Sequence, residues 1–378
     1  MSTLFPISVY QQRLDKAVQL CRQKNLAGLI ISTGAELAYL TGSWLSTHER
    51  LTALVVPAYG PALIVVPATD AQDLKLSAVP ELPISVRPWS DGENPHELVA
   101  TALRAGLTAS QEMPSLIGLG ESLTTNHVLR LQALLPEFEA VLAATALKDL
   151  FMRKDSAEIE ELRQVAKAID TVHAQVPALL QAGRTEAEVA ADIEQLILIE
   201  HREVDFIIVG SGPNGANPHH SFSDRVLEDG DIVVVDIGGT YGVGYHSDCT
   251  RTYRVGGAPQ PEEIPAAYRV LKEAQEAAVQ AIRPGVKAAE IDAVARDILT
   301  AAGYGEQFFH RVGHGIGLST HEEPFIMAGN ELILEPGMAF SVEPGVYFEG
   351  KWGARIEDIV VVTTDGCERL NNNSRDIQ

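Results

Sequence analysis

The feature that most constrains the fold of this chain is an internal repeat in its second half. Residues 182–189 resemble residues 283–291, and residues 227–230 resemble residues 334–337 at nearly the same spacing. In each copy a helix start is followed by a Gly-containing turn and then by an apolar strand that ends in a carboxylate. Because four features recur in the same order, we expect two related halves that each contribute to one structure.

Each half delivers two acids. Asp236 follows the apolar run 232–235, and Asp248 follows on a returning strand that could place the two side by side. Glu343 and Glu357 are their counterparts in the second half. For any single acid, a solvated strand end is the simpler interpretation. Four clustered carboxylates would repel one another, so one site that binds cations, or several raised pKa values, explains them together.

A nitrogen ligand is available in the Gly-rich segment 309–317, which contains His310 and His314. Its glycines allow the backbone to approach a site closely and argue against a regular helix. His314 alone could equally be a hydrogen-bonded loop residue, and His310 is better suited to a supporting position. Carboxylates combined with a histidine favour Mn, Zn, Co or Fe over an all-oxygen Ca²⁺ site.

The first part of the chain alternates helix and strand signals, which predicts an α/β domain over residues 1–148 and a second domain over residues 149–378. Thr185 and Glu188 form a predicted capping box. The predicted elements are a helix over residues 11–23, strands over 26–32 and 116–119, a hairpin over 51–66, and one long helix over 155–181.

Composition excludes several classes of function. The chain has 29 basic and 51 acidic residues and a formal net charge of −22, which disfavours nucleic acid and anionic membranes as partners. Three widely spaced cysteines form no disulfide framework and fit a reducing cytoplasm. We expect neither a signal peptide nor a membrane span.

Together these residues resemble the pita-bread metallopeptidases, the group of methionine aminopeptidase, aminopeptidase P and prolidase. The strings around each position are similar to the family's motifs: Asp236-Ile-Gly, Ser247-Asp-Cys-Thr-Arg, Gly313-His-Gly-Ile-Gly, Val342-Glu-Pro-Gly-Val-Tyr and Arg355-Ile-Glu-Asp. The resemblance implies a mixed α/β fold (α+β) with a pseudo-two-fold pita-bread catalytic domain. It also implies two divalent metal ions per subunit, with Mn expected and Co or Zn as alternatives, bound by Asp236, Asp248, His314, Glu343 and Glu357.

Residues 34–42 are similar to the creatinase/prolidase N-terminal domain, which methionine aminopeptidases generally lack. The resemblance therefore implies the Xaa-Pro-cleaving branch and a homodimer. It also implies that His219 and His321 handle protons or the oxyanion, although the adjacent His220 is an alternative to His219. Glu343 is implied as a proton acceptor in addition to a ligand.

Two further residues are candidates for binding substrate, His310 and Arg355. Arg355 could bind a substrate carboxylate, or it could form an ion pair with a ligand acid. The expected activity is hydrolysis of Xaa-Pro bonds in dipeptides, and an aminopeptidase P acting on longer peptides is the alternative. A metal-free creatinase and an inactive binding module are more remote, because none of the five ligands is lost.

Overall fold

A computed structural model describes residues 4–105, 107 and 114–377. The chain divides into two compact units, the first ending at Phe151 and the second beginning at Met152. Helix α5 spans Ala144–Met152, and so includes residues on both sides of the predicted boundary at residue 148. None of the helices in this described part combines the length and apolar character needed to cross a bilayer.

The first unit is a six-stranded mixed sheet with helices, and its strand order is β4-β3-β2-β1-β5-β6. The pairs β1–β2 and β2–β3 are antiparallel, and the pairs β1–β5, β3–β4 and β5–β6 are parallel. The elements are α1 Ile7–Gln23, β1 Leu26–Ile31, α2 Ala35–Thr41, β2 Ala53–Pro57, β3 Ala62–Pro67, β4 Ile84–Trp89, α3 Pro95–Ala105, β5 Leu116–Leu119, α4 Thr125–Leu134, β6 Glu139–Leu142 and α5.

The sequence pattern anticipated part of this unit, and helix α1 begins at Ile7, before the predicted start at residue 11. The predicted hairpin is the antiparallel pair β2–β3, and strands β1 and β5 lie where apolar runs predicted them. All six residues of β1 are buried, as expected for a central strand covered on both faces. The core of this unit therefore forms between the sheet and helices α3 and α4.

The second unit contains all remaining elements. They are α6 Ser156–His173, α7 Val176–Leu179, α8 Glu186–Glu200, β7 Glu203–Ser211, β8 Ile232–Tyr241, β9 Tyr245–His246, β10 Cys249–Arg254, α9 Glu263–Ala281, α10 Ala288–Ala301, β11 Gly313–Gly315, β12 Glu322–Ile326, β13 Ala339–Val342, β14 Gly345–Phe348, β15 Trp352–Arg355, β16 Asp358–Val362 and β17 Cys367–Arg369. Short 3₁₀ turns also occur at Gly212–Ala216 and Gly305–Gln307.

The two halves of this unit repeat one plan of helices followed by a sheet. The first half has the sheet β10-β8-β7 and a core formed with α6 and α8. The second half has the sheet β12-β11-β13-β16-β17 and a core formed with α9 and α10. In each half an antiparallel pair carries the acids of the repeat, β8–β10 in the first and β13–β16 in the second.

The repeated turns have nearly identical backbones. Gly183 and Gly285 both adopt a positive φ, at 94° and 91°, a region that glycine occupies without strain. Each donates its N–H to a leucine carbonyl of the following repeated segment, Leu227 or Leu334, at 2.9 Å in both cases. This equivalence confirms that the sequence repeat is a structural repeat.

The predicted long helix over residues 155–181 is wrong in its extent. Helix α6 ends at His173, and a separate one-turn helix α7 follows after two non-helical residues. Pro177 provides the reason, because it lacks the N–H that would bond the carbonyl of residue 173 in a continuous helix. The start was predicted correctly, since Asp155 caps α6 in a capping box with Glu158.

Candidate active site

A cleft of about 1180 Å³ in the second unit is lined by residues from both halves of the repeat. Asp236 and Asp248 come from the first half, and His314 and Glu343 come from the second. The pairing of β8 with β10 and of β13 with β16 explains why these acids lie close together. Asp236 lies within β8 and Asp248 immediately precedes β10, while Glu343 follows β13 and Glu357 precedes β16. The structure therefore brings all five predicted ligands together.

Their oxygen and nitrogen atoms form overlapping groups that could each hold a cation. One group contains Asp236, Asp248 and Glu357, and another contains His314, Glu343 and Glu357. Within each group the potential ligand atoms lie within 4.8 Å of one another. Glu357 belongs to both groups, an arrangement suited to two neighbouring ions that share a ligand. A third group places His321 with Asp248 and His314, although His321 was not predicted as a ligand.

His314 is oriented by its surroundings. Its backbone N–H donates to Ser341 Oγ at 3.0 Å, and its Nδ1 lies 3.1 Å from the carbonyl oxygen of Gly315. Burial acts to lower the pKa of His314, but the hydrogen bond and charge of Glu343 outweigh it and raise that pKa to about 9, so without a cation the ring is protonated. With a cation on Nε2, the one remaining proton would lie on Nδ1, directed at that carbonyl. Nε2 lies 3.1 Å from Glu343 Oε1 and 3.6 Å from Asp248 Oδ2, so it faces the acids.

Gly313 explains why the segment before His314 is rich in glycine. A Cβ at residue 313 would lie 1.8 Å from the carbonyl oxygen of Ser341, too close for any other residue. The backbone of β11 can therefore approach β13 only because residue 313 has no side chain. This approach is what places His314 among the acids of the second half.

The site is electrostatically strained when it holds no cation. Burial, followed by the charges of neighbouring carboxylates, raises the pKa of Asp248 and of Glu357 well above the usual range. Burial also raises the pKa of Asp236, although the charge of Arg355 opposes it. Burial acts to raise the pKa of Glu343 too, but the hydrogen bond and charge of His314 outweigh it and lower that pKa.

Two carboxylate oxygens at this site have no hydrogen-bond partner among the described residues, which bears on whether the residues suit a metal ion. Asp236 Oδ1 and Glu357 Oε1 are buried and have no hydrogen-bond partner in the described part of the chain. A buried carboxylate oxygen without a partner costs free energy that a bound cation removes. The donor set of carboxylates and one imidazole therefore fits divalent metal ions of the Mn, Co or Zn type.

Arg355 lies at this site with its guanidinium almost fully engaged. It donates from Nη2 to Asp236 Oδ2 at 2.6 Å, from Nε to Thr250 Oγ1 at 3.0 Å, and from Nη1 to Tyr347 Oη at 2.8 Å and to the Pro218 carbonyl at 3.3 Å. This is the ion pair with a predicted ligand acid, which was one of the two alternatives for Arg355. A substrate-binding role for Arg355 stays a prediction.

His310 is the other predicted substrate-binding residue, and it lines the cleft with both ring nitrogens engaged. Nδ1 lies 2.7 Å from the carbonyl oxygen of Arg311, and Nε2 lies 3.0 Å from Tyr347 Oη. Because Tyr347 accepts from Arg355, its own proton is free to go to His310. His310 therefore extends a hydrogen-bonded chain that leads through Tyr347 and Arg355 to Asp236. Sequence reasoning gave no role to Tyr347, although it lies within a family-like string.

The adjacent histidines His219 and His220 occupy different environments. His219 is exposed and lines the cleft. His220 Nε2 lies 2.8 Å from the buried carboxylate of Glu186, which fixes the orientation of its half-buried ring. Glu186 accepts five further donors: Ser211 N and Oγ, Asn214 Nδ2, and Ser223 N and Oγ. No sequence signal pointed to Glu186, because its partners come together only through folding.

His321 lies on the opposite half from His219 and lines the same cleft. Its ring centroid is 4.0 Å from that of His314. Burial, followed by the positive charges of His314 and Arg311, lowers the pKa of His321 to about 4. His321 is therefore a neutral imidazole at pH 7, with one N–H to donate and one nitrogen to accept.

Comparison of the chain with known proteins identifies related families and relatives. The profile of metallopeptidase family M24 matches residues 160–364, and the creatinase/prolidase N-terminal domain matches residues 13–152. The chain is 52% identical to the probable dipeptidase PepE of Mycobacterium bovis, over 98% of this chain and 96% of that protein. It is 35% identical to a Xaa-Pro dipeptidase of Lactobacillus helveticus, over 97% and 98%.

A solved structure agrees with these relatives. The crystal structure of dipeptidase PepE from Mycobacterium ulcerans is 52% identical, covers 99% of both chains and superposes with a TM-score of 0.93. The predicted fold of a creatinase/prolidase-like first domain and a pita-bread second domain is therefore confirmed. The chain belongs to metallopeptidase family M24.

Proposed function

We propose that this chain is a metal-dependent dipeptidase that hydrolyses the bond between a first residue and a proline. The observation that carries the proposal is the convergence of five ligand candidates with His219 and His321 on one cleft. The full-length similarity to a protein named Xaa-Pro dipeptidase supports the choice of substrate.

Asp236, Asp248, His314, Glu343 and Glu357 would hold two divalent ions, for which Mn is the first candidate. When bound, such ions supply Lewis acidity, which lowers the pKa of water towards neutrality and polarises a carbonyl oxygen. Asp248 and Glu357 would be shared between them. Glu357 belongs to the group with Asp236 and to the group with Glu343, and Asp248 belongs to the group with Asp236 and to the group with His321. The ion pair with Arg355 would hold the Asp236 carboxylate charged and fixed in orientation.

The remaining chemistry concerns the movement of one proton. Hydrolysis takes a proton from water and places one on the proline nitrogen, which has no hydrogen while it is acylated. The Glu343 carboxylate is the proposed acceptor, because it lines the cleft beside the ligand group that it shares with His314 and Glu357. His219 and His321 would donate N–H groups to the developing oxyanion and assist protonation of the leaving nitrogen.

Selectivity for proline would come from the pocket beyond the scissile bond. Proline presents a compact ring with a fixed φ and no amide hydrogen, so a pocket can be shaped for it. Phe309, His310 and Tyr347 form an aromatic cluster in this part of the structure, with ring centroids 5.4 Å apart for Phe309–Tyr347 and 5.5 Å for His310–Tyr347. We assign this cluster to the proline ring.

We propose further that the enzyme is a cytoplasmic homodimer, and that residues 1–148 and 149–378 are its functional domains. Sedimentation of the purified protein tests the dimer. A mass corresponding to a single chain of 40.8 kDa would contradict it.

Substrate assays test the activity itself. Protein loaded with Mn should hydrolyse Ala-Pro far faster than Ala-Ala at equal concentration, and chelation should abolish turnover. Similar kcat/KM values for the two dipeptides would refute the proline requirement and leave the metallopeptidase assignment intact. Cleavage of Ala-Pro-Ala in preference to Ala-Pro would identify an aminopeptidase P instead.

A further inference from the structure

The described residues that line the cleft include two arginines and no lysine, and the two guanidinium groups differ in availability. Arg355 has hydrogen bonds from Nε, Nη1 and Nη2, and four of its donor contacts are occupied. A guanidinium carries five N–H groups, so Arg355 cannot present two parallel donors to a ligand. It also already neutralises Asp236.

Arg311 is the other arginine, and its guanidinium is available. It is half-buried, and within residues 4–105, 107 and 114–377 no carboxylate lies at ion-pair distance from it. Its guanidinium carbon lies 4.5 Å from the centroid of the Phe325 ring. Stacking on an aromatic face leaves the edge of the guanidinium free to donate in its plane.

The position of Arg311 is fixed through the next residue, Val312, by strand β12. The backbone N–H of Val312 donates to the carbonyl oxygen of Ile326 at 3.0 Å, which holds this segment against β12. Strand β12 begins immediately after His321 and contains Phe325. The guanidinium that rests on Phe325 is therefore on the His321 side of the cleft.

The substrate of a dipeptidase needs a cation at such a place. In Xaa-Pro the free carboxylate is attached to the proline Cα, which is itself bonded to the nitrogen of the scissile amide. That carboxylate must enter a cleft that already contains several carboxylates, and the protein carries a formal net charge of −22. Like charges at these distances are unfavourable unless a fixed cation offsets them. A longer peptide has a neutral amide at the same place.

We propose that Arg311 binds the C-terminal carboxylate of the Xaa-Pro dipeptide and thereby selects dipeptides over longer peptides. The assignment rests on the proposed function and names the residue that determines chain length. An arginine is suited to this task because its planar fork can donate two parallel hydrogen bonds to one carboxylate. Phe325 is the platform that holds the fork.

A comparison of charged and neutral substrates tests the assignment. We would measure kcat and KM for Ala-Pro and for Ala-Pro amide, which lacks the carboxylate, with Mn-loaded wild type, Arg311→Gln, Arg311→Lys and Arg269→Gln. Arg269 is an exposed arginine on α9 outside the cleft and serves as the matched control. Wild type should prefer Ala-Pro.

In Arg311→Gln the ratio of kcat/KM for Ala-Pro to that for the amide should fall by about 10- to 100-fold, the range expected for charge-assisted hydrogen bonds. The change should appear mainly in KM, Arg311→Lys should recover part of it, and Arg269→Gln should keep the wild-type ratio. An unchanged ratio in Arg311→Gln would overturn the assignment while wild-type activity still supported the proposed function. If wild type cleaved neither substrate, the proposed function would fail and the assignment with it.

Product binding gives a readout that does not depend on turnover or on the folding of a variant. Calorimetry on Mn-loaded wild type should show L-proline binding at least about 10-fold more tightly than L-prolinamide. Arg311→Gln should lose this difference, with metal content and melting temperature measured alongside. Equal affinity of wild type for proline and prolinamide would also overturn the assignment.

Discussion

Replacing His219 and His220 by alanine, one at a time, should show which of the two takes part in the reaction and which only supports the structure. His219 faces the cleft, so His219→Ala should remove one donor to the developing oxyanion or to the leaving nitrogen. Removal of one such group reduces kcat by about 10²–10³-fold. Metal content should stay at the wild-type level, because His219 belongs to none of the ligand groups among the described residues.

His220→Ala should act on stability and hardly on turnover. Its ring makes one of six donor contacts to Glu186, and the five others remain to satisfy that buried carboxylate. One lost hydrogen bond of this kind costs about 1 kcal/mol. For a unit of this size that corresponds to a melting temperature lower by about 2–4 °C.

The assay is hydrolysis of Ala-Pro by Mn-loaded protein, together with elemental analysis and thermal melting followed by circular dichroism. The reasoning would be refuted if His220→Ala lost 100-fold or more in kcat while His219→Ala stayed near wild type. A large loss of metal in His219→Ala would refute it in a different way, because it would make His219 a ligand.

Three further outcomes are expected. Elemental analysis should find two divalent ions per chain. Glu357→Ala should lose both ions, because Glu357 belongs to both ligand groups. Full metal occupancy in the variant would contradict this. In metal-free protein, Arg355→Ala should lower the free energy of unfolding by about 3–5 kcal/mol, since it leaves the Asp236 carboxylate buried without its partner, and chemical denaturation would measure this. Burial lowers the pKa of His173 from 6.5 to about 3, so its contribution to stability should be complete above pH 6.5 and decrease as the pH falls below that value. Melting temperatures at pH 7 and pH 5 check the sign, and His173→Gln should show a smaller difference between them than wild type.

The sequence predicted the parts of this protein that depend on local pattern and on repetition. The apolar runs that became β1, β5 and the β2–β3 hairpin carried clear period and turn signals. The repeat predicted four acids in or directly beside paired strands of the two halves, and the structure has Asp236 within β8 and the other three at strand ends. Their roles as ligands stay predictions, which the metal analysis above would decide.

What the sequence did not reveal depends on contacts between distant segments. The strand that carries Asp236 was expected to end there, but β8 continues to Tyr241 because it pairs along its length with β7. The partner of Arg355 could not be chosen either, since a carboxylate of the substrate and one of the protein are chemically equivalent. Only the fold decides that Asp236 lies 2.6 Å away.

The sequence also could not show that Arg311 has no acidic partner among the described residues. Its availability depends on where every acid of the chain lies, and a motif of neighbouring residues contains no such information. The Phe325 ring beneath it is brought there by β12.

The repeat also has a consequence for how the two cations would be acquired. A chain built from two related halves repeats its charged side chains across the approximate axis between them, so the crowding of like charges at the centre follows from symmetry. His314 breaks that symmetry, because the spacing between Gly183 and Gly285 places Gly212 in the position equivalent to His314. One end of the centre therefore offers oxygen alone and the other offers oxygen with nitrogen. Two such ends differ in affinity for a given ion, so a titration with Mn²⁺ should show two successive binding events of unequal strength.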